Sequence, residues 1–354
     1  MKTRIITIHP QYPELDKIAY CAKLIRQGNL VVFPTETVYG IAANWENKQA
    51  IERLRAVKKR SEHKPFSILL ARPSKILEFT SYSSPALYKL IDKFWPGPLT
   101  VVVPAKQGNS TVGLRVPDHP VALSLIEESA CAIAAPSANL EGNPPPRSCQ
   151  EALKDLDGLV DAALDSGTAA IGTESTVVDF TKGEPTVVRH GAVTQSEVDK
   201  ITRQKTILFV CTGNSCRSVM AEYLLKKMLG SRSDVEVVSA GTGVFLRSSA
   251  SAETIEVLRK RGIDATQHQS QGVNTILLKK ADLILVMTMN HRHQLLEKNP
   301  EIEKRVYLLK EFASIPHGSE WDLDIPDPIG KSAQVYEECL LTIKEAIQRI
   351  VKLV

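Results

Sequence analysis

Short apolar runs recur along the chain, and most are too short to be helices. LVVFP (30–34), FSILLA (66–71), LTVVVP (99–104) and TVVDF (176–180) are rich in β-branched and aromatic residues. Polar or turn residues bound them, which predicts buried strands. Helical patterns lie between some of them, over 48–59 and 85–94. Strands mixed with helices predict an α/β sheet with helices packed on it. Farther on, TILFV (206–210) predicts another buried strand. Val219, Met220, Leu224, Leu225, Met228 and Leu229 follow at helical spacing, and Val335, Leu340, Ile343 and Ile347 predict a C-terminal helix.

One polar stretch breaks this rhythm. TQSEVDKITRQK (194–205) has only Val198 and Ile201 as large apolar residues. It predicts a short helical linker, 194–204, between domains at 10–193 and 205–354. A length of 354 residues accommodates two domains. The net charge of +4 argues neither for nor against nucleic acid. No run of 18 apolar residues and no charged-then-apolar leader occurs, so neither a membrane span nor secretion is expected. The six cysteines lack framework spacing, which fits a reducing cytoplasm.

The strand TILFV runs into VCTGNSCRS (210–218), which holds Cys211, Cys216 and Arg217. Ser218 stands where the next helix would begin, with Glu222 soon after. A loop between a strand end and a helix start presents unpaired N–H groups and partial positive charge, so it is an anion site. Gly213 and Asn214 tolerate the backbone angles such a cradle needs. The field that holds an anion also stabilises a thiolate, so the Cys211 pKa should fall below about 8.5. Arg217 offers a planar fork suited to two phosphate oxygens. Nucleophile and clamp around one phosphate predict cleavage of a phosphate ester or phosphoramidate through a cysteinyl-phosphate. A zinc site would need a second cysteine pair or a histidine cluster, and none lies at suitable spacing.

VCTGNSCRS, SAGT (239–242) and DPIG (327–330) together resemble the low-molecular-weight protein-tyrosine phosphatase family, over about residues 205–354. That resemblance implies a doubly wound parallel sheet, with Cys211 as nucleophile and Arg217 as phosphate clamp. Thr212, Gly213, Asn214, Ser215, Cys216 and Ser218 would complete the phosphate loop. Ser218 would hydrogen-bond the thiolate, and Asn214 would hold the loop shape. Asp327 would protonate the leaving group and then activate water; Asp322 and Asp324 are nearby competitors. Cys216 is either a redox partner of the nucleophile or a small buried residue. Tyrosine-directed members carry a bulky apolar residue at the position of Ser215 and aromatics where Ile329 and Gly330 stand. A hydroxyl at Ser215 resembles the protein-arginine phosphatase branch, so phosphoarginine is favoured over phosphotyrosine. An arsenate reductase of the same fold would need more resolving cysteines than Cys339.

In the first half, polar residues gather at strand ends, and no GxGxxG or GxxxxGK[ST] loop occurs. PTETVYG (34–40), Lys58 and Arg60, WPGPLT (95–100), LRVPDHP (114–120), Ser137 and Asn139, and ESTVVD (174–179) appear in order. As an ordered set they resemble the threonylcarbamoyl-AMP synthase family, over about residues 10–192, which implies a YrdC-like twisted mixed sheet. The implied reaction condenses L-threonine, bicarbonate and ATP, with Mg2+ accompanying ATP and no dedicated protein cage. Its product feeds modification of adenosine 37 in transfer RNA. The resemblance assigns Lys58, Arg60, Lys64, Thr111, Ser137, Asn139 and Arg189 to ATP, and Thr37, Arg115 and Ser175 to threonine. No covalent nucleophile is evident, so catalysis would rest on positioning and electrostatics. Departures are Lys64 for an asparagine, Leu69 for a histidine, Pro145 for a serine, and RHG for RPG at the domain end. The rivals are a non-catalytic RNA-binding module and a carbamoyl-transfer module of hydrogenase maturation. The latter is normally accompanied by zinc-binding cysteine pairs, which are not seen.

Overall fold

The computed structural model describes residues 2–61, 65–108, 110–315 and 323–354. The chain folds as two compact units, Met1–Thr202 and Arg203–Val354. The polar stretch before the second unit forms a helix, Gln195–Arg203.

The first unit is built on ten strands: β1 (Arg4–Thr7), β2 (Val31–Phe33), β3 (Gly40–Asn44), β4 (Ser67–Leu69), β5 (Leu99–Pro104), β6 (Thr111–Arg115), β7 (Ile133–Ala134), β8 (Ala162–Asp165), β9 (Thr176–Asp179) and β10 (Thr186–Arg189). Their order is β1-β8-β2-β3-β7-β4-β6-β5-β9-β10, with parallel and antiparallel neighbours mixed. Side chains alternate across a strand, and β2 shows why its sequence is apolar throughout. Val31 and Phe33 pack on one face with Ile18, Ile25 and Leu125, while Leu30 and Val32 pack on the other with Leu54 and Leu156. Helices cover both faces, so no polar position is tolerated there. Helix starts follow the chemistry of their caps. Asn47 caps Lys48–Lys58 through the Ala50 amide, and Ser84 caps Pro85–Phe94 through that of Leu87, with Pro85 in the first turn.

The second unit holds four parallel strands: β11 (Lys205–Cys211), β12 (Val235–Gly241), β13 (Leu283–Val286) and β14 (Val306–Leu308). Their order is β12-β11-β13-β14. The order reverses beside β11, and in such sheets ligands bind beyond the strand ends at that point. Ile207 and Phe209 face a core closed by the helices Arg217–Leu229 and Ala333–Ile350. Leu208 and Val210 face the opposite core with Leu278 and Leu295. Cys211 is thus delivered, buried, at the carboxyl end of the central strand.

Candidate functional sites

In the second unit the cradle follows from where the backbone carbonyls go. The Thr242 and Gly243 amides donate to the carbonyls of Cys211 and Thr212, both at 2.9 Å. The Ser251 amide donates to the Ser215 carbonyl at 3.0 Å, and His268 Nε2 donates to that of Asn214 at 2.9 Å. Among the described residues, no protein acceptor takes the amides of 212–216. With the carbonyls tied outward, these donors are left for an anion. Asn214 takes the left-handed conformation the loop needs, at φ 50°. The glycine of SAGT is required by close approach: a Cβ on Gly241 would lie 2.4 Å from the Thr212 carbonyl.

The side chains form a directed relay. Asn214 Nδ2 donates to Ser218 Oγ at 3.0 Å and to Ser239 Oγ at 2.7 Å, and Ser239 donates to Glu222. Because Ser218 accepts from Asn214, its own proton is free to point at Cys211 Sγ, 3.0 Å away. Ser218 therefore serves Cys211 and does not cap the helix; the helix begins one residue earlier, at Arg217. Arg217 donates to the Ile325 carbonyl at 3.0 Å and to the Asp327 carboxylate, and its buried Nε has no partner. Asp324 is engaged elsewhere, accepting from the Met289 amide at 2.7 Å, and Asp322 lies outside the described residues. Cys216 is buried among hydroxyls: Ser251 Oγ at 3.5 Å and Tyr336 OH at 3.6 Å. Burial, then the Cys216 bond, pushes Tyr336 up to about 12, with Ser251 opposing.

In the first unit, a cavity of about 130 Å³ is lined by Thr37, Arg60, Arg115, Ser137, Ser175 and Arg189, together with Thr35, Thr100, Glu174 and Leu69. Six predicted residues thus converge, five from the loops and ends of separate strands and Arg60 from just beyond the helix Lys48–Lys58. Gly40 lets β3 approach this wall closely, since a Cβ there would lie 3.1 Å from the Phe33 ring. Arg115 is aimed by a buried frame: Nε donates to the Gly97 carbonyl at 3.1 Å, and one terminal nitrogen donates to Glu36 Oε1 at 2.7 Å and Thr37 Oγ1 at 2.9 Å. Arg189 grips Glu174 at 2.8 Å and both the carbonyl and hydroxyl of Ser175. Ser175 also meets the Thr100 hydroxyl at 2.8 Å. Burial lowers the proton affinity of Arg60 and Arg189, and both remain cations.

The other predicted residues stand elsewhere. Lys58 does not line the cavity; its ammonium donates to the Ser137 carbonyl at 2.7 Å and to the carbonyl and side-chain oxygen of Asn139. Burial, then Arg60, pushes it down to about 8. Asn139 is buried and donates to the Leu140 and Asn143 carbonyls. Lys58 and Asn139 thus hold the Ser137 loop in shape. Thr111 is exposed at the start of β6, away from the cavity lining, and Lys64 lies outside the described residues. Sequence reasoning missed Glu36, His268, Ser239 and His291. Glu36 sits between two threonines of PTETVYG, and its burial was invisible without the fold.

Comparison with known proteins finds relatives for both units. A family model described as "Telomere recombination" matches residues 23–191, and one described as "Low molecular weight phosphotyrosine protein phosphatase" matches residues 206–354. The chain is 38% identical over 194 residues to the threonylcarbamoyl-AMP synthase of Bacillus subtilis, covering 52% of this chain and 56% of that protein. It is 35% identical over 244 residues to that of Pyrococcus abyssi, covering 67% and 72%. A "Probable low molecular weight protein-tyrosine-phosphatase" of Ralstonia solanacearum is 35% identical over 143 residues, covering 40% and 91%. The solved structure of P. abyssi Sua5 complexed with L-threonine superposes with TM-score 0.54 at 27% identity, covering 86% of this chain and 99% of that one. Fold and sites define a two-unit α/β protein whose units each carry an arginine-bearing polar site. The chain belongs to the threonylcarbamoyl-AMP synthase family through its first unit and to the low-molecular-weight protein-tyrosine phosphatase family through its second.

Proposed function

We propose that the first unit makes threonylcarbamoyl-adenylate from L-threonine, bicarbonate and ATP, and that the second dephosphorylates phosphoproteins. The convergence of Thr37, Arg115 and Ser175 with Arg60, Ser137 and Arg189 in one cavity carries the first reading. Arg115 meets the threonine carboxylate through its other terminal nitrogen, the one its buried partners leave unspent. Thr37 and Ser175 hold the amino acid. Arg60 and Arg189 neutralise charge as pyrophosphate departs, and Ser137 lines the nucleotide side. Mg2+ would accompany ATP without a dedicated protein cage, since Glu36 and Glu174 are each tied to an arginine. The product serves transfer-RNA modification at adenosine 37. Incubation with ATP, threonine and bicarbonate should release pyrophosphate only when threonine is present. Threonine-independent release, or none, refutes this assignment.

For the second unit the carrying observation is the ring of unused amides around Cys211, closed by Arg217 and Asp327. A phosphate dianion fills the amides and takes Arg217, which frees Asp327. The Cys211 thiolate attacks phosphorus as the P–O or P–N bond breaks, and Asp327, which takes up a proton from solvent once Arg217 has left it, gives that proton to the departing atom. Asp327 then takes a proton from the water that attacks the cysteinyl-phosphate, and the Ser218 hydroxyl stabilises the leaving thiolate. The Ser215 hydroxyl favours phosphoarginine, since a guanidinium beside an apolar wall would leave N–H groups unpaired. Matched phosphoarginine and phosphotyrosine peptides decide the preference, and faster tyrosine hydrolysis would reject it.

A further inference from the structure

His291 lies in the first turn of the helix Met289–Lys298 and is 2% exposed. Both ring nitrogens are engaged. Nδ1 meets Thr288 Oγ1 at 2.8 Å, and Nε2 meets Thr212 Oγ1 at 2.9 Å. Thr288 is itself fixed, since it caps the helix by accepting from the His291 amide. Thr212 directly follows the nucleophile, and its carbonyl is already held by Gly243. The His291 ring is therefore a rigid strut between a helix cap and the outer corner of the anion cradle.

We propose that His291 is a positioning residue for the phosphate loop: its Nε2 fixes Thr212, and through Thr212 the amides of 212 and 213 that receive the phosphate. The inference rests on the anion-binding reading of this loop. A structural core histidine would satisfy its nitrogens anywhere; this one spans 79 residues of sequence to reach the single side chain that follows the nucleophile. Proton transfer is not its task, because neither nitrogen is free. Its neutrality supports the same role. Burial, then the nearby Arg217 charge, pushes it down to about 4, with Asp327 opposing. Either neutral tautomer makes both bonds, because each threonine hydroxyl can donate or accept. A second fixed cation beside Arg217 is thereby avoided.

Two near-isosteres separate the roles of the two nitrogens. The amide of Gln reaches the place of Nε2 and keeps the Thr212 bond, whereas that of Asn reaches only the place of Nδ1 and keeps the Thr288 bond. Orthovanadate binding to the full chain, measured by calorimetry, needs no turnover. H291N should weaken it about three- to tenfold, the worth of one hydrogen bond, and H291Q should hold it within about twofold. T212V should match H291N, and the double variant should be no worse than either. Thermal midpoints of the three single variants should agree, which a merely structural role would not give. Vanadate affinity in H291N equal to wild type, or equal loss in H291Q and H291N, overturns the proposal. Wild-type protein that fails to bind vanadate would instead sink the reading of the loop itself.

Discussion

The Arg217 guanidinium holds the Asp327 carboxylate, and the two side chains differ sharply in freedom: 5% exposed against 42%. The arginine is buried and the carboxylate is partly open to solvent. The arginine proposed as phosphate clamp is thus held by the carboxylate proposed as general acid. Removing that carboxylate should have two opposed effects. D327N should lower kcat by about 10²–10⁴, the range for a lost general acid. The same variant should bind inorganic phosphate more tightly, because a competing anion is gone. Steady-state kinetics with an alkyl and an activated aryl phosphate check the first effect, since the aryl group needs less help to leave and should lose less. Inhibition constants for phosphate check the second.

Arg115 and Glu36 form a pair with both side chains 9% exposed, and Glu36 Oε2 has no partner. Removing the arginine leaves a buried carboxylate without its counter-charge. R115M should destabilise the protein by roughly 3–5 kcal/mol as well as raise KM for threonine. The double variant E36Q/R115M should recover much of the stability and none of the threonine affinity. Denaturant melts and threonine titrations of the single and double variants separate the two contributions. Recovery of threonine affinity in the double variant would show that Arg115 does not meet the substrate.

The runs that became β2, β4, β5, β9 and β11 were legible because the fold buries most of their positions, as in Val31–Phe33 and 207–211; the largely exposed β1 and β10 carry no such run. The phosphate loop was legible because its glycine, asparagine, cysteine and arginine lie within eight residues of one another. What escaped was assembled from distance. Glu36 meets Arg115 across 79 positions, and His268 meets the Asn214 carbonyl across 54. Lys58 was read as a nucleotide ligand because it is a cation in a motif. The fold buries it against three oxygens, which sequence spacing could not reveal. The helix start was displaced for a related reason: Ser218 is a good capping residue by type, but its hydroxyl is turned to Cys211.

Ser215 is half-buried in the loop, with its carbonyl held by Ser251. Its backbone is thus fixed independently of its side chain, and substitution should alter the wall without moving the cradle. S215V should lower the ratio of phosphoarginine to phosphotyrosine kcat/KM by about tenfold, the effect of stranding a polar partner. Parallel assays on matched peptides measure the ratio. An unchanged ratio would shift the search for specificity to the exposed Ile329 beside Asp327.

His291 also sets a pH dependence of stability whose sign can be worked out. Its ordinary pKa is 6.5, and in the folded chain burial, followed by Arg217, holds it at about 4. Between those values the unfolded chain binds a proton that the folded chain refuses. Stability therefore rises with pH across this window and is lost as pH falls from 6.5 toward 4. A displacement of that size corresponds to roughly 3 kcal/mol, reached only when the whole window is crossed. Salt-bridged carboxylates such as Glu337 add their own acid sensitivity at lower pH. The wild-type curve alone is therefore not diagnostic, and the difference from H291Q is. Glutamine keeps the Thr212 bond without titrating, so unfolding free energies of the two proteins should run parallel above pH 7 and diverge below it. The wild type should be the more acid-sensitive protein. Curves that stay parallel down to about pH 4.5 would mean that His291 takes up its proton as readily folded as unfolded.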